Sequence, residues 1–495
     1  MSQQGLRGLS DAVVSVIGAG AMGSGIGEVA ARARHPVRLI DSNPDVLARS
    51  RSGIEQSLDG LVGKGRLSSE DRDATMGRIE WCSDLIAAHD AGLVIEAIVE
   101  RMDVKQDLLR SLEAVVSSSA IIGTNTSSLS VGEMSSVLVA PGRFIGLHFF
   151  NPVPAMKLVE IVPGPATADG LAVVVSSLME AWGKSPVVVQ DVPGFIVNRV
   201  ARPFYGEAFE AWGDGVDPTA IDALLVGAGG FRMGPLALAD MIGHDVNFAA
   251  ASSVHEGYRG LTRFRPQPAQ RALVEAGHLG RKSGKGVFDY PAPPEHTPSS
   301  SAPIAGRPPV SAPSTLGDLS SLVVRLSHGD AANLDENLPP DVFAAAGLIV
   351  ALSDGRRLVD REGVHVLLDH ARDFATATVI GFTAVDDQAA AAFSSLLERA
   401  GIRPVRLPDR PGLVVMRTLV QLAASVIDAL EDEIASAKDI GLAMRLGANH
   451  PESPLDWAGR VGTEPLRTLQ QRLSDATGDA MYAPDRARPS KEMTS

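Results

Sequence analysis

Six residues near the amino terminus constrain this chain more than any others. Gly18-Ala19-Gly20-Ala21-Met22-Gly23 fits G-x-G-x-x-G and follows Val13-Val14-Ser15-Val16-Ile17 directly. That β-branched run is the signature of a buried parallel strand. Ser24–Arg34 reads as a helix of small residues, and Val37–Ile40 as a second strand ending at Asp41. Strand, glycine turn, helix, strand is a βαβ unit carrying a dinucleotide-binding fingerprint. Gly18 permits the tight turn, Gly20 lets the backbone approach a pyrophosphate, and Gly23 lets the helix pack close to the strand. The free N–H groups at the helix start favour phosphate. Asp41 can accept from both ribose hydroxyls, and its charge opposes a 2′-phosphate. The expected cofactor is therefore NAD, held by Gly18, Gly20, Met22, Gly23 and Asp41.

Apolar runs at Leu93–Ile98 and Ala120–Gly123 continue the alternation, as expected of a doubly wound α/β sheet. Ahead of them Asp45–Arg78 reads as two charged helices around Gly63-Lys64-Gly65, a pair that projects from the sheet. From Asp191 the pattern turns helical over 195–212, 217–228 and 234–260. Pro291–Thr315 is dense in Pro, Ser and Ala and reads as a linker. Beyond it, Ser321–Leu326, Gly347–Leu352, Val364–Leu368 and Thr378–Phe382 read as strands, and 413–430 and 436–446 as helices. An internal repeat ties the halves together. Asp191-Val192-Pro193-Gly194-Phe195-Ile196-Val197-Asn198-Arg199 matches Asp409-Arg410-Pro411-Gly412-Leu413-Val414-Val415-Met416-Arg417, and Gly243 then meets Gly462. The domain plan is a Rossmann-type domain (1–190), an all-α domain (191–290), a linker (291–317), a degenerate Rossmann-like α/β region (318–408), a second copy of the all-α domain (409–483) and a disordered tail (484–495).

Composition narrows the function classes. Of 495 residues, 45 are Lys or Arg and 59 Asp or Glu, a net charge of −14 that opposes nucleic-acid binding. One cysteine, Cys82, excludes a disulfide framework and a Cys-cluster metal site, so no metal is expected. No apolar stretch of about 18 residues is uninterrupted, and the first residues lack the apolar core of a secretion signal. A cytoplasmic protein is expected.

Candidate chemistry clusters in two motifs. Thr124-Asn125-Thr126-Ser127-Ser128-Leu129 follows an apolar strand, where a strand's carboxyl end meets the ligand crevice. His148-Phe149-Phe150-Asn151-Pro152 comes next, with Met156-Lys157-Leu158-Val159-Glu160 beyond it. Oxidising an alcohol needs a base on the hydroxyl, and histidine suits that role near neutral pH. A carboxylate on its second nitrogen would fix the tautomer. Taken alone, a histidine beside two phenylalanines is more often a packed core residue.

Read in order, G-A-G-A-M-G at 18–23, V-I-E-A-I-V-E at 94–100, N-T-S-S-L at 125–129, H-F-F-N-P at 148–152, M-K-L-V-E at 156–160, P-G-F-I-V-N-R at 193–199 and G-R-K-S-G-K-G at 280–286 resemble the L-3-hydroxyacyl-CoA dehydrogenases. The resemblance covers about residues 12–290, and the duplication resembles the longer fused members associated with phenylacetate degradation. It implies NAD-dependent oxidation of an (S)-3-hydroxyacyl-CoA, short-chain or dicarboxylic. His148 would be the general base and Glu160 its orienting partner. Ser127 and Asn198 would hold substrate oxygens, with Asn151 at the pocket. Glu100, Lys105 and Ser127 would lie near the nicotinamide ribose, Lys282 would contact the cofactor, and Lys64 the CoA moiety. Family members without the duplication pair their helical domains across a dimer, so the second copy is expected to form an internal pseudo-dimer with the first, and a homodimer remains open. Rival readings are an L-gulonate dehydrogenase of the same scaffold and a catalytically silent binding protein.

Overall fold

The computed structural model describes residues 9–291, 309–328 and 332–484. Most of the Pro-rich linker and all but the first residue of the tail lie outside the described residues. The chain divides into two compact units. The first runs through Arg199 and includes Ala429–Ala448; the second holds Val200–Asp428 and the residues from Asn449 on.

The first unit is built on an eight-stranded sheet. Its strands are β1 (Val14–Ile17), β2 (Val37–Ile40), β3 (Ile79–Cys82), β4 (Leu93–Glu96), β5 (Ile121–Thr124), β6 (Phe144–Phe149), β7 (Leu158–Val162) and β8 (Ser185–Val188), in the order β3-β2-β1-β4-β5-β6-β7-β8. The first six in chain order are parallel, and β7 turns back antiparallel to β6. Strand order reverses between β1 and β4, so the crevice at their carboxyl ends is where a ligand binds in an open α/β sheet. Val14, Val16, Leu39, Leu93 and Ile95 are fully or almost fully buried, as parallel strands covered on both faces must be. The helices Pro44–Gly63 and Ser69–Gly77 form the expected charged pair, each capped by a side chain, Asn43 and Ser68.

The second unit holds a seven-stranded mixed sheet: β9 (Val310–Ala312), β10 (Asn333–Leu334), β11 (Val342–Ala345), β12 (Leu348–Leu352), β13 (Val366–Leu368), β14 (Val379–Ala384) and β15 (Arg403–Arg406), in the order β10-β9-β11-β12-β13-β14-β15. Two expectations are corrected. Ser320–Leu326 is a helix, not a strand. Its Leu322, Val323 and Leu326 fall on one buried helical face, and the Arg325 guanidinium donates to the carbonyls of Phe374 and Ala377, so packing overrides the β-branched propensity. And β9 lies within the stretch assigned to the linker, where Val310 and Ala312 alternate into the core. One core joins this sheet to both helical copies, with Phe204, Phe209 and Phe231 from the first, Leu413, Val420 and Leu473 from the second, and Phe343 and Phe382 from the strands.

The repeat extends to the backbone. Phe195 and Leu413 both take left-handed conformations, at φ 49° and 51°, as do Gly243 and Gly462, at 102° and 89°. The last four strands of each sheet also agree: β5 and β12 run parallel to β6 and β13, which pair antiparallel with β7 and β14, which run parallel to β8 and β15.

Candidate active site

The register of the first sheet gathers the predicted residues. Ile17 lies opposite Glu96, Glu96 opposite Thr124, and His148 opposite Glu160, so the turns after β1, β4, β5 and β6 open on one edge. In the first turn Gly18 has φ +96°, and a side chain there would meet the Ala97 carbonyl at 2.7 Å. A Cβ on Gly23 would sit 1.8 Å from the Gly18 oxygen. At Gly20 the same construction meets no atom within 4 Å. The turn is therefore closed on its protein side and open where a pyrophosphate would lie, which is the fit the fingerprint requires. Asp41 Oδ2 accepts from the Ala19 N–H at 3.0 Å, so the acidic residue stands against the turn with acceptor capacity left for ribose hydroxyls. Met22 packs partly into the adjoining core.

Beyond β4 the carboxylate of Glu100 gathers donors. Its Oε1 accepts from the Ser127 N–H at 2.7 Å, Thr126 Oγ1 at 2.8 Å, and the Ser127 hydroxyl and Ser128 N–H at 3.1 Å. Burial raises its pKa, but Lys105 and these donors outweigh that and hold the carboxyl below its usual range. Lys105 itself is fully buried, with Nζ 2.8 Å from Glu96 and 3.5 Å from Glu100. The structure thus buries Lys105 against Glu96 and Glu100, away from the surface.

Antiparallel pairing of β6 and β7 brings together two residues 12 apart in sequence. His148 Nδ1 lies 2.6 Å from Glu160 Oε2. A carboxylate can only accept, so in the neutral imidazole Nδ1 carries the proton and Nε2 the lone pair. Phe150 packs on the imidazole at 4.4 Å and Phe195 at 5.7 Å. The other Glu160 oxygen accepts from the N–H groups of Ile196 and Val197, each at 3.0 Å. This second contact, invisible in the sequence, fixes the turn that carries Asn198. Asn198 is half-buried and its Nδ2 reaches the Ser127 carbonyl at 3.4 Å. His148, Glu160, Ser127 and Asn198 therefore meet in one unit. Asn151 is exposed on the turn after β6. Lys282 belongs to the second unit, where it pairs with Asp245 at 2.5 Å.

Lys64 is exposed at the end of its helix and lines a groove of about 1490 Å³. Arg32, Arg34, Arg49, Arg66, Arg78, Lys157 and Lys184 also line it, against Glu28 and Asp71 as the only acids among the described residues. These arginines were missed because they are scattered along 47 residues and share no motif. Lys184 ties the turn after β6, donating to the carbonyls of Val153 and Met156 at 2.5 and 2.8 Å, and burial pushes its pKa down to about 8.

The register also reveals what the second sheet lost. His148 and Glu160 face each other across β6 and β7; the matching pair across β13 and β14 is Asp369 and Gly381, whose backbones hydrogen-bond. Asp369 accepts from the N–H groups of Val414, Val415 and Met416 at 2.8–3.0 Å. In the second copy Asp369, at the end of the strand that matches the one carrying His148, anchors the helix with a glycine opposite, and the adjacent His370 turns its Nε2 to the Ser353 carbonyl at 2.9 Å.

A reversed-order parallel sheet with this turn and an acidic residue against it defines an NAD-binding α/β enzyme scaffold joined to a helical domain. The description "3-hydroxyacyl-CoA dehydrogenase, NAD binding domain" matches residues 13–192, and "3-hydroxyacyl-CoA dehydrogenase, C-terminal domain" matches twice, at 194–290 and 412–491. The chain is 37% identical to the 3-hydroxyadipyl-CoA dehydrogenase of Escherichia coli K12 over 95% of each chain. It is 40% identical to the 3-hydroxybutyryl-CoA dehydrogenase of Bradyrhizobium diazoefficiens over 56% of this chain and 94% of that one. The crystal structure of a 3-hydroxybutyryl-CoA dehydrogenase from Escherichia coli K12 superposes with a TM-score of 0.86 at 36% identity, covering 96% of this chain and 97% of that one. The chain belongs to the 3-hydroxyacyl-CoA dehydrogenase family and is an NAD-dependent enzyme of that class.

Proposed function

We propose that this enzyme oxidises the C3 hydroxyl of a short-chain or dicarboxylic (S)-3-hydroxyacyl-CoA, with His148 as general base. The observation that carries the reading is the 2.6 Å contact between His148 Nδ1 and Glu160, which leaves Nε2 to take the hydroxyl proton. Glu160 offsets the imidazolium that then forms. Asn198 and Ser127 hold the substrate oxygens. Bound NAD+ supplies the hydride acceptor, held by the Gly18–Gly23 turn, Asp41 and the Glu100–Ser127 cluster. The basic groove around Lys64 receives the CoA phosphates, a local field opposite to the net charge of −14. The names of the relatives, 3-hydroxyadipyl-CoA and 3-hydroxybutyryl-CoA dehydrogenase, support the choice of acyl group. A cytoplasmic setting and a role in fatty-acid or phenylacetate catabolism belong to the same reading.

The second helical copy would act as an internal partner for the first. Arg417 Nε lies 2.8 Å from Glu207, the Tyr482 hydroxyl donates to Glu207 at 2.8 Å, and Arg410 meets Asp214 at 2.7 Å. Oxidation of NADH by acetoacetyl-CoA tests the activity and separates it from a gulonate dehydrogenase, which has no CoA substrate. His148→Ala should lower kcat by roughly 10²- to 10⁴-fold with NAD affinity retained. A variant at wild-type rate would remove His148 from the mechanism. The ratio of kcat/KM for 3-hydroxyadipyl-CoA and 3-hydroxybutyryl-CoA then decides the acyl preference.

A further inference from the structure

Arg202, from the first helical copy, and Gln421, from the second, line a cavity of about 30 Å³ within the second unit. That is room for one water or one small ion. Arg202 is only 9% exposed. Its Nη1 reaches the Asn247 carbonyl at a long 3.4 Å, its Nε has no hydrogen-bond partner among the described residues, and its guanidinium carbon lies 5.1 Å from the Tyr205 ring centre. Gln421 is 1% exposed, and neither its amide nitrogen nor its oxygen is paired among the described residues. The other two guanidiniums at the cavity have counter-ions: Arg263 meets Asp428, and Arg265 meets Glu210 at 3.2 Å and Asp479 at 2.9 Å. Arg202 has none. Burial lowers its pKa and Tyr205 is the sole titratable neighbour acting against that, yet an arginine stays charged in a protein. A buried cation without a counter-ion is strongly unfavourable.

We propose that this cavity is a binding site for a small monovalent anion of halide size, held by the Arg202 guanidinium and the Gln421 amide nitrogen. The anion is the missing counter-ion of Arg202 and links the two helical copies. Because it binds only the folded form, it raises stability by mass action. Thermal unfolding of the full chain in potassium chloride, bromide or gluconate at equal ionic strength tests this. Chloride and bromide should raise Tm above the gluconate value by roughly 3 °C, saturating with concentration. Gluconate is too large for the cavity. Arg202→Met should abolish the difference and Gln421→Leu should reduce it. Crystals grown with bromide should show an anomalous peak in the cavity, a measurement on the unaltered protein that stands even if Arg202→Met does not fold. Equal Tm in all three salts, a halide effect that survives Arg202→Met, or a water in place of bromide would each overturn the proposal.

Discussion

Glu160 holds two partners with its two oxygens, and each partner asks something different of it. Oε2 orients His148 at 2.6 Å, while Oε1 takes the N–H groups of Ile196 and Val197 at 3.0 Å. Glutamine preserves the second role, because its carbonyl oxygen can still accept from those two donors. It spoils the first, because its NH₂ group facing Nδ1 favours the tautomer whose proton sits on Nε2, where the base must be free. Glu160→Gln should therefore cut kcat by roughly 10²- to 10³-fold while KM for the acyl-CoA and Tm stay close to wild type. Loss of Tm without a fall in kcat would invert this assignment. In the second copy Asp369, at the position matching His148, takes the anchoring contacts with Gly381 opposite, and the adjacent His370 directs its Nε2 to the Ser353 carbonyl rather than to a carboxylate. At this scale the sequence was legible in part. The glycine turn could be read from spacing, since each glycine answers a local steric demand. The His148–Glu160 pair came from resemblance, because 12 residues separate partners that only strand pairing brings together. The anchoring role of Glu160 had no local signal at all.

At the scale of elements, residues from the second copy reach the catalytic strand pair. The helix Ala437–Gly447 packs in the first unit, and a Cβ on Gly447 would lie 2.5 Å from Leu158 Cδ2, 2.8 Å from Val197 Cγ2 and 3.7 Å from Phe150 Cε1. Leu158 begins the strand that carries Glu160, Val197 donates to Glu160, and Phe150 packs on His148. Asp432 pairs with Arg199, next to Asn198, and the Ile434 carbonyl accepts from the Gln190 N–H at 2.8 Å. Gly447→Ala must push on a β-branched side chain that has little room to move. It should cost about 1–3 kcal/mol of stability and lower kcat severalfold, with NAD affinity unchanged. Kinetics identical to wild type would show that this helix does not brace the site. The repeat motif announced the second copy, because its turn conformations are written in local residues. The helix at Ser320–Leu326 was not legible, since a short apolar run suits a buried helix and a buried strand equally and only tertiary packing separates them.

For the whole molecule, one core spans both helical copies and the second sheet, so deletion of residues 316–495 should leave apolar surface uncovered and an aggregating fragment. A soluble, fully active fragment would contradict that expectation. The pH dependence of stability supplies a finer test inside the same core. His450 packs against Phe231 at 5.1 Å and Phe204 at 5.9 Å, and burial pushes its pKa down to about 3. The unfolded chain binds a proton there below about pH 6.5, whereas the folded chain does not until near pH 3. Its stabilising contribution is therefore complete above pH 6.5 and shrinks as pH falls below that value, by about 2 kcal/mol at pH 5. Asp222 works in the opposite sense. Burial pushes its pKa up to about 6, so the folded state takes up a proton before the unfolded state does, and acid favours folding by about 1 kcal/mol at pH 5. The two oppose each other in the wild type, so its acid profile taken alone isolates neither. The comparison with His450→Leu isolates the histidine. The stability difference between wild type and variant should shift by about 2 kcal/mol in favour of the variant between pH 7 and pH 5, read from urea unfolding at each pH. Parallel profiles would mean that His450 titrates alike in both states and is not sealed in this core.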